Sequence, residues 1–314
     1  MDPLSIILWP IKWVIELILV AFHTAWTYVG LDPAAGITWV LSIVGLVIVV
    51  RAALIPIFVK QIKSQRRMLE VAPQLKKIQD KYQGKRDQFS REAMSRETME
   101  LYKKTGTNPL ASCLPLLLQM PIFFGLFSVL NDAQRSQPGI QFLTADLADQ
   151  FGEASLFGVA PLHDTFINTE SWEVRIVAVV MIVLMTGSQF ITQLQIMAKN
   201  MSPEAKNSPM FRQQKIMLYI LPLVFAISGV SFPLGVMFYW LTSNIWTMGQ
   251  QFVVIRNMPT PGSEAAKARE ARLAKRGKLP NDQPDLPEEA AASKPAQRQQ
   301  PVGKTRAKKS GVKK

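Results

Sequence analysis

Apolar residues in this chain gather into long blocks rather than the alternation of half-buried strands, and segments dense in charge separate the blocks. Three of these blocks, residues 37–59, 108–130 and 175–198, match the ~20 apolar residues that a helix needs to cross a hydrocarbon core about 30 Å thick. A further apolar tract, from residue 214 to 255, is too long for one crossing. Gly229, Ser231, Pro233 and Gly235 interrupt it near the middle, so it reads as two antiparallel helices, 214–230 and 233–255. The pattern predicts an all-α polytopic membrane protein with five core transmembrane helices.

The segments between the spans read differently from one another. Residues 60–107 look helical and soluble, and Gly84 divides them into LEVAPQLKKIQDKYQ and FSREAMSRETMELYKK, the arms of a helical hairpin. Leu69, Leu75, Ile78 and Tyr82 give the first arm a thin apolar stripe, and Met94, Met99 and Leu101 the second. Residues 131–174 and 199–213 are connecting loops. From 256 to 314, Ala, Lys, Arg, Pro and Gln dominate without a lasting apolar period, which predicts a disordered tail.

Residues 1–36 admit two readings. In a helix beginning near Pro10, Lys12, Glu16, His23 and Thr27 fall within about 60° of one another at 100° per residue. That stripe suits an amphipathic helix lying in the membrane interface, or a sixth span with one narrow polar face. The interfacial reading is preferred, because an ionised residue near mid-membrane costs about 2.5 to 3.5 kcal/mol on insertion scales.

Charge then orients the spans. Lys and Arg outnumber Asp and Glu by 13 to 6 in residues 60–107, 4 to 1 in 199–215 and 15 to 6 in 256–314, whereas 131–173 holds one basic residue and seven acids. With five spans the basic segments share one side, which the positive-inside rule makes cytoplasmic, together with the carboxyl terminus. The formal charge of +13 for 314 residues is thereby a record of topology rather than of nucleic-acid binding.

Catalytic and metal signatures are missing. A single cysteine, Cys113, excludes an internal disulfide and a cysteine cage, and His23 and His163 are too far apart for zinc-ligand spacing. Nor does the chain carry GxxxxGK[ST], GxSxG or HExxH. Neither an enzyme, a metal nor a small-molecule cofactor is expected.

The sharpest feature is an arginine in a span. Arg51 stands nine residues before Lys60, roughly 13 Å along the helix from its basic end. No other core span holds an Asp or Glu to pair with it, which favours a water-accessible cavity with Arg51 as its fixed charge. Gln119, Gln189, Thr192, Gln193, Trp240, Thr242, Ser243 and Asn244 are the polar or amphipathic candidates to line it. Each also suits an interhelical hydrogen bond. Pro115, Pro121 and Pro222 would kink their helices and free backbone carbonyls.

The run TNPLASCLPLLLQMPIFFGLF, residues 107–127, follows a basic hairpin and the arginine-bearing VVRAALIP. Together with KIMLYILPLVFAISGVSFPLGVMFYWLTSNIWTMGQQ at 215–251, it resembles the YidC/Oxa family of membrane protein insertases over about residues 10–256. Without the large folded periplasmic domain and separate amino-terminal anchor of Gram-negative members, the chain is similar to the short bacterial form.

The resemblance implies a multi-pass protein of the bacterial cell membrane whose five core helices enclose a hydrophilic groove, open to the cytoplasm and laterally to lipid. In that frame Arg51 matches the groove arginine, and Gln119, Gln189, Trp240 and Asn244 would join it as the substrate-binding groove. The implied function is insertion and folding of integral membrane proteins. Implied partners are nascent membrane proteins and the lipid bilayer, with the Sec translocon, the ribosome and the signal recognition particle machinery. A small-solute or ion transporter is the alternative, although the chain shows no internal repeat of the kind many transporters carry.

Overall fold

The computed structural model of the protein describes residues 3–85, 87–107, 114–201, 203–206 and 209–277. The whole NPLASC segment, with Cys113, and most of the basic tail lie outside the described residues. Residues up to Ala271 form one compact unit, and a second begins at Arg272.

Helix α1, Pro3–Tyr28, runs through Pro10 and is followed by a short connection to α2, Gly36–Lys81. Helix α2 is continuous for 46 residues, including Pro56 and Pro73. At 1.5 Å per residue it is about 69 Å long, more than twice a hydrocarbon core, so the first core span and the first hairpin arm are one helix. Gly84, at φ 84°, makes the reversal into α3, Gln88–Thr105. Asp87 caps α3 by accepting from the Ser90 amide at 2.8 Å. Across the hairpin, Glu97 accepts from Lys81 and, at 2.9 Å, from the Tyr82 hydroxyl.

Helix α4, Leu114–Gln134, leads into α5, Ala145–Glu153, and then a minimal hairpin of β1, Ser155–Leu156, and β2, Ala160–Pro161. Helix α6, Trp172–Lys199, starts at an N-cap made by Ser171. The short α7, Pro203–Lys206, is followed by α8, Pro209–Gly229, then α9, Leu234–Asn257, and finally α10, Glu264–Lys275. The 229–233 interruption forms the turn between α8 and α9, with Phe232 and Ser231 amides bonded back to Gly229 and Ser228.

The core lies where α1, α2, α4, α6 and α9 meet. Leu19, Trp39, Ile43, Leu46, Leu130 and Met237 are fully buried there. Helix α1 packs against α2 and α4, while α9 joins the two halves by packing on α6 and α2. Close approach of α1 to α2 depends on Gly45, where a Cβ would come within 2.6 Å of the Phe22 ring. At the far end of α1, His23 stacks on Trp39 with centroids 3.9 Å apart, and Trp39 meets the Phe151 edge of α5 at 5.0 Å.

The outward faces are as apolar as the core. Ile176, Val180, Val183 and Leu184 on α6 are each at least half exposed. Exposed stripes of this kind on long helices need lipid rather than water around them. Among the described residues, Leu8–Tyr28, Gly36–Ser64 and Trp172–Lys199 are long and apolar enough to cross a membrane, and Leu218–Gly229 is a shorter apolar stretch. The protein is an all-α polytopic membrane protein.

The polar stripe of α1 turns toward the protein. Glu16 is wholly buried and its carboxylate accepts from three successive backbone amides, Ile140 at 2.7 Å, Gln141 at 2.9 Å and Phe142 at 3.2 Å. Lys12 pairs with Asp132 of α4 at 3.2 Å, and Ser128 donates to the same carboxylate oxygen. His23 Nε2 lies 2.9 Å from the Pro33 carbonyl. The desolvation penalty that argues against placing such residues in an apolar setting is offset here by specific partners.

Candidate functional site

One pocket gathers residues from four helices around Arg51. Leu46, Val47, Val50 and Leu54 of α2 repeat at helical spacing and put Arg51 on the inward face of that helix. Gln119, Ile122 and Leu126 of α4 face them, Tyr239 of α9 closes a third side, and Ile15 of α1 a fourth. The space left among these side chains is about the size of one water molecule. Most of its lining is aliphatic.

The polar groups form a short chain. Arg51 Nη2 donates to the Ser243 hydroxyl, and Gln119 Nε2 donates to the buried Tyr239 hydroxyl at 3.3 Å. Tyr239 and Ser243 are one turn apart on α9, so a single helix face holds both the arginine and the amide. The guanidinium carbon also stands 5.8 Å from the centre of the Phe58 ring. Among the described residues, no carboxylate comes within ion-pair distance of Arg51.

A cation held by a hydroxyl and a ring, away from any anion, keeps its attraction for an incoming negative group. In surroundings of low dielectric that attraction is several times stronger than in water. The same residues offer neutral hydrogen bonds that would align a carboxylate or a backbone carbonyl. Among the described residues, no nucleophile is paired with a base at the site. Among the described residues no cluster of three His, Cys, Asp or Glu could hold a metal.

Of the residues singled out in the sequence, the structure brings Arg51, Gln119 and Ser243 together and sets Gln189, Trp240 and Asn244 apart. Trp240 points from the adjacent face of α9 into an aromatic cluster, 4.7 Å from Phe225 and 5.6 Å from both Phe123 and Phe232. Asn244, one turn later on that face, donates to the Met185 carbonyl of α6 at 3.2 Å. Gln189 lies one turn beyond Met185 and is half-buried. Trp240 and Asn244 occupy the side of α9 that meets α4, α6 and α8, about 100° around from the Tyr239 face, while Gln189 belongs to α6. Tyr239, the acceptor for Gln119, and Ile15, the α1 wall, are not among the polar candidates named from the sequence. Tyr239 was legible as a polar tip in an apolar tract, whereas Ile15 carries no signal.

Fold and pocket together define the class: a multi-pass helical membrane protein with an arginine, free of any carboxylate partner among the described residues, inside its helix bundle. Residues 30–261 match the family described as the 60Kd inner membrane protein, and the chain belongs to that family. It is similar to the membrane protein insertase YidC of Tropheryma whipplei strain Twist, 46% identical with 98% of each chain covered. The protein of the same name from Streptomyces avermitilis is also 46% identical, over 86% of this chain and 62% of its own. That from Bifidobacterium longum is 36% identical over 96% of this chain and 95% of its own.

Proposed function

We propose that this protein is a membrane protein insertase and folding chaperone whose client-binding groove is built around Arg51. The observation that carries the reading is the half-buried guanidinium with neutral partners in a pocket shared by α1, α2, α4 and α9. Relatives of near-equal length bear the insertase name, which supports it.

The mechanism is electrostatic and involves no covalent chemistry. A client's polar tail must cross a low-dielectric slab, and a cation in mid-path lowers that barrier for acidic tails. The pocket is too narrow for a peptide, so admission of a tail requires α1, α2, α4 and α9 to part and let water in. The client's apolar segment meanwhile slides along exposed faces of α4 and α8, with Leu117, Phe124, Ile220 and Leu223 on them. Transfer of that segment into lipid is the driving force. Gln189, Trp240 and Asn244 belong to the wider groove that opens on the α6 side.

The α2–α3 hairpin and the carboxyl terminus are assigned to the cytoplasm from the charge asymmetry. There the hairpin meets clients, and the basic tail meets ribosomal RNA through salt-sensitive phosphate attraction. Cooperation with the Sec translocon and delivery through the signal recognition particle belong to the same reading. The protein is not an enzyme in it, and its place is the bacterial plasma membrane.

Reconstituted vesicles test the central claim. Arg51→Ala should lower protease protection of a client with an acidic translocated tail several-fold, while a client with a neutral tail is less affected. Equal insertion of both clients by the Ala variant and the parent would overturn the role of Arg51.

A further inference from the structure

Phe157 sits where its own backbone disfavours it. Leu156 accepts from the Val159 amide at 3.1 Å, and the two residues between have φ 54° for Phe157 and φ 75° for Gly158. Inside the three-residue connection between Leu156 and its strand partner Ala160, residues 156–159 make a turn whose two central residues both have positive φ, the pair of conformations that Asn-Gly normally takes. A bulky aromatic residue is strained there. Its ring is 80% exposed and meets no other aromatic ring among the described residues. A local rule broken without a gain inside the chain points to a contact outside it.

The hairpin is pinned at a definite level in the bundle. Ser155 bridges Ala35 at the start of α2, and a Cβ on Gly36 would come within 2.5 Å of the Ser155 carbonyl carbon. Strand β2 packs against α6, whose first residue, Trp172, is 66% exposed and heads the apolar outer stripe of Ile176, Val180 and Val183. A tryptophan at the end of a lipid-facing stripe marks the boundary between acyl chains and headgroups. Val159 and Ile167 are also more than half exposed, and no charged residue lies between Ser155 and Leu162.

From this placement we propose that the Phe157–Val159 turn is an interfacial anchor, whose phenyl ring enters the headgroup–acyl boundary of the bilayer surrounding the protein. The occupant is lipid, since the turn is uncharged and its hairpin is braced against the start of α2 and against α6, the helix that carries the lipid-facing stripe. The anchor holds the starts of α2 and α6 at a fixed depth.

The test uses the full chain in a Cys113→Ala background, reconstituted in phosphatidylcholine vesicles with brominated acyl chains. An environment-sensitive fluorophore is attached at Phe157→Cys, at Val159→Cys as a second site, and at the exposed Glu153→Cys as an aqueous reference. Labels at 157 and 159 should be quenched by bromine near the headgroups and be several-fold less quenched by aqueous iodide than the label at 153. Iodide quenching equal to that at 153, with no lipid quenching, would overturn the anchor. So would shielding that appears only in native membranes containing other proteins, because a protein partner would then cover the turn. Phe157→Gly relieves the backbone and removes the ring. It should keep the detergent-solubilised protein folded, while amide exchange in the hairpin rises several-fold in vesicles; unchanged exchange there would argue that the ring touches no lipid.

Discussion

Glu16 of α1 reaches across 124 positions of sequence to the backbone amide of Ile140, 2.7 Å away, and its other oxygen takes the amides of Gln141 and Phe142. A carboxylate with three amide donors closes two needs at once. The loop after α4 gains an acceptor for amides that no secondary structure uses, and the charge on α1 gains the solvation it lost on burial. Charge-assisted hydrogen bonds of this kind contribute about 1.5 to 3 kcal/mol each when one partner is removed. Glu16→Ala should therefore destabilise the protein by about 3 kcal/mol or more. Glu16→Gln keeps one acceptor and should lose less. Thermal unfolding in detergent would order the three proteins, and equal midpoints would show that the amides find other acceptors.

Gly139 makes the same junction possible. A Cβ at that position would overlap the Glu16 carboxylate, so Gly139→Ala should push α1 away from the loop. The expected effect is a lower unfolding midpoint and faster proteolysis between residues 136 and 144. Both effects should shrink in a Glu16→Ala background, because the overlap is gone.

Gly45 should be equally intolerant, for a different reason. The Phe22 ring lies over it, and any larger residue must displace that ring or the helix bearing it. Gly45→Val is expected to cost about 1 to 3 kcal/mol, the usual range for overpacking a tight contact. Adding Phe22→Ala should recover part of the loss in the unfolding midpoint. Failure of that rescue would show that α1 does not depend on this contact.

The hairpin clasp should respond to pH at both extremes. Hydrogen bonds from Lys81 and then from Tyr82 hold the Glu97 carboxyl below the ordinary carboxylate range. The hydrogen bond to Glu97 raises the Lys81 ammonium above its ordinary value, against a smaller opposing effect of burial. A depressed acid stabilises the folded hairpin above its unfolded pKa and loses that contribution as pH falls through the folded value. A raised base stabilises below its unfolded pKa and loses it as pH rises through the folded value. Amide-exchange protection of residues 82–85 and 87–90, corrected for the intrinsic pH dependence of exchange, should be highest and flat near neutral pH and fall in acid and in strong alkali. Glu97→Gln should abolish the clasp-dependent part of both changes, and high salt should weaken the clasp, since it is exposed.

Much of this architecture is visible in the chain because membrane helices announce themselves by length and composition. The apolar runs at residues 37–59 and 175–198, the Gly84 reversal and the break between Gly229 and Pro233 are single-sequence signals. Arg51 is visible for the same reason, as a charge in the wrong solvent. The continuity of α2 past Lys60 is not visible, because a change from lipid-facing to water-facing composition does not end a helix. The Glu16 junction is hidden as well. Its donors are backbone amides, which every residue has and no residue type reports. Tyr239 and Trp240 are adjacent in sequence yet serve different surfaces, and only the rotational setting of α9 decides which of them meets Arg51.

That rotational setting bears on the last prediction. Ser243 is the hydrogen-bond partner that aims the Arg51 guanidinium across the pocket, while Gln119 is tied to Tyr239 rather than to the arginine. Removing the hydroxyl leaves the charge in place but frees its direction. Ser243→Ala should therefore keep more insertion of acidic-tailed clients than Arg51→Ala keeps, and it should destabilise the fold by about 1 to 3 kcal/mol, the cost of leaving a half-buried charged donor without its partner. Arg51→Lys supplies charge without a planar fork and should rank between the parent and Ala, and Arg51→Glu should be worst because it repels the acidic tail. Protease-protection yields across these variants separate the two contributions. If charge alone matters, Ser243→Ala matches the parent and Arg51→Lys approaches it; if direction matters too, both fall together toward the Ala level. Loss in Ser243→Ala equal to that in Arg51→Glu would contradict the assignment of Ser243 as a positioning residue.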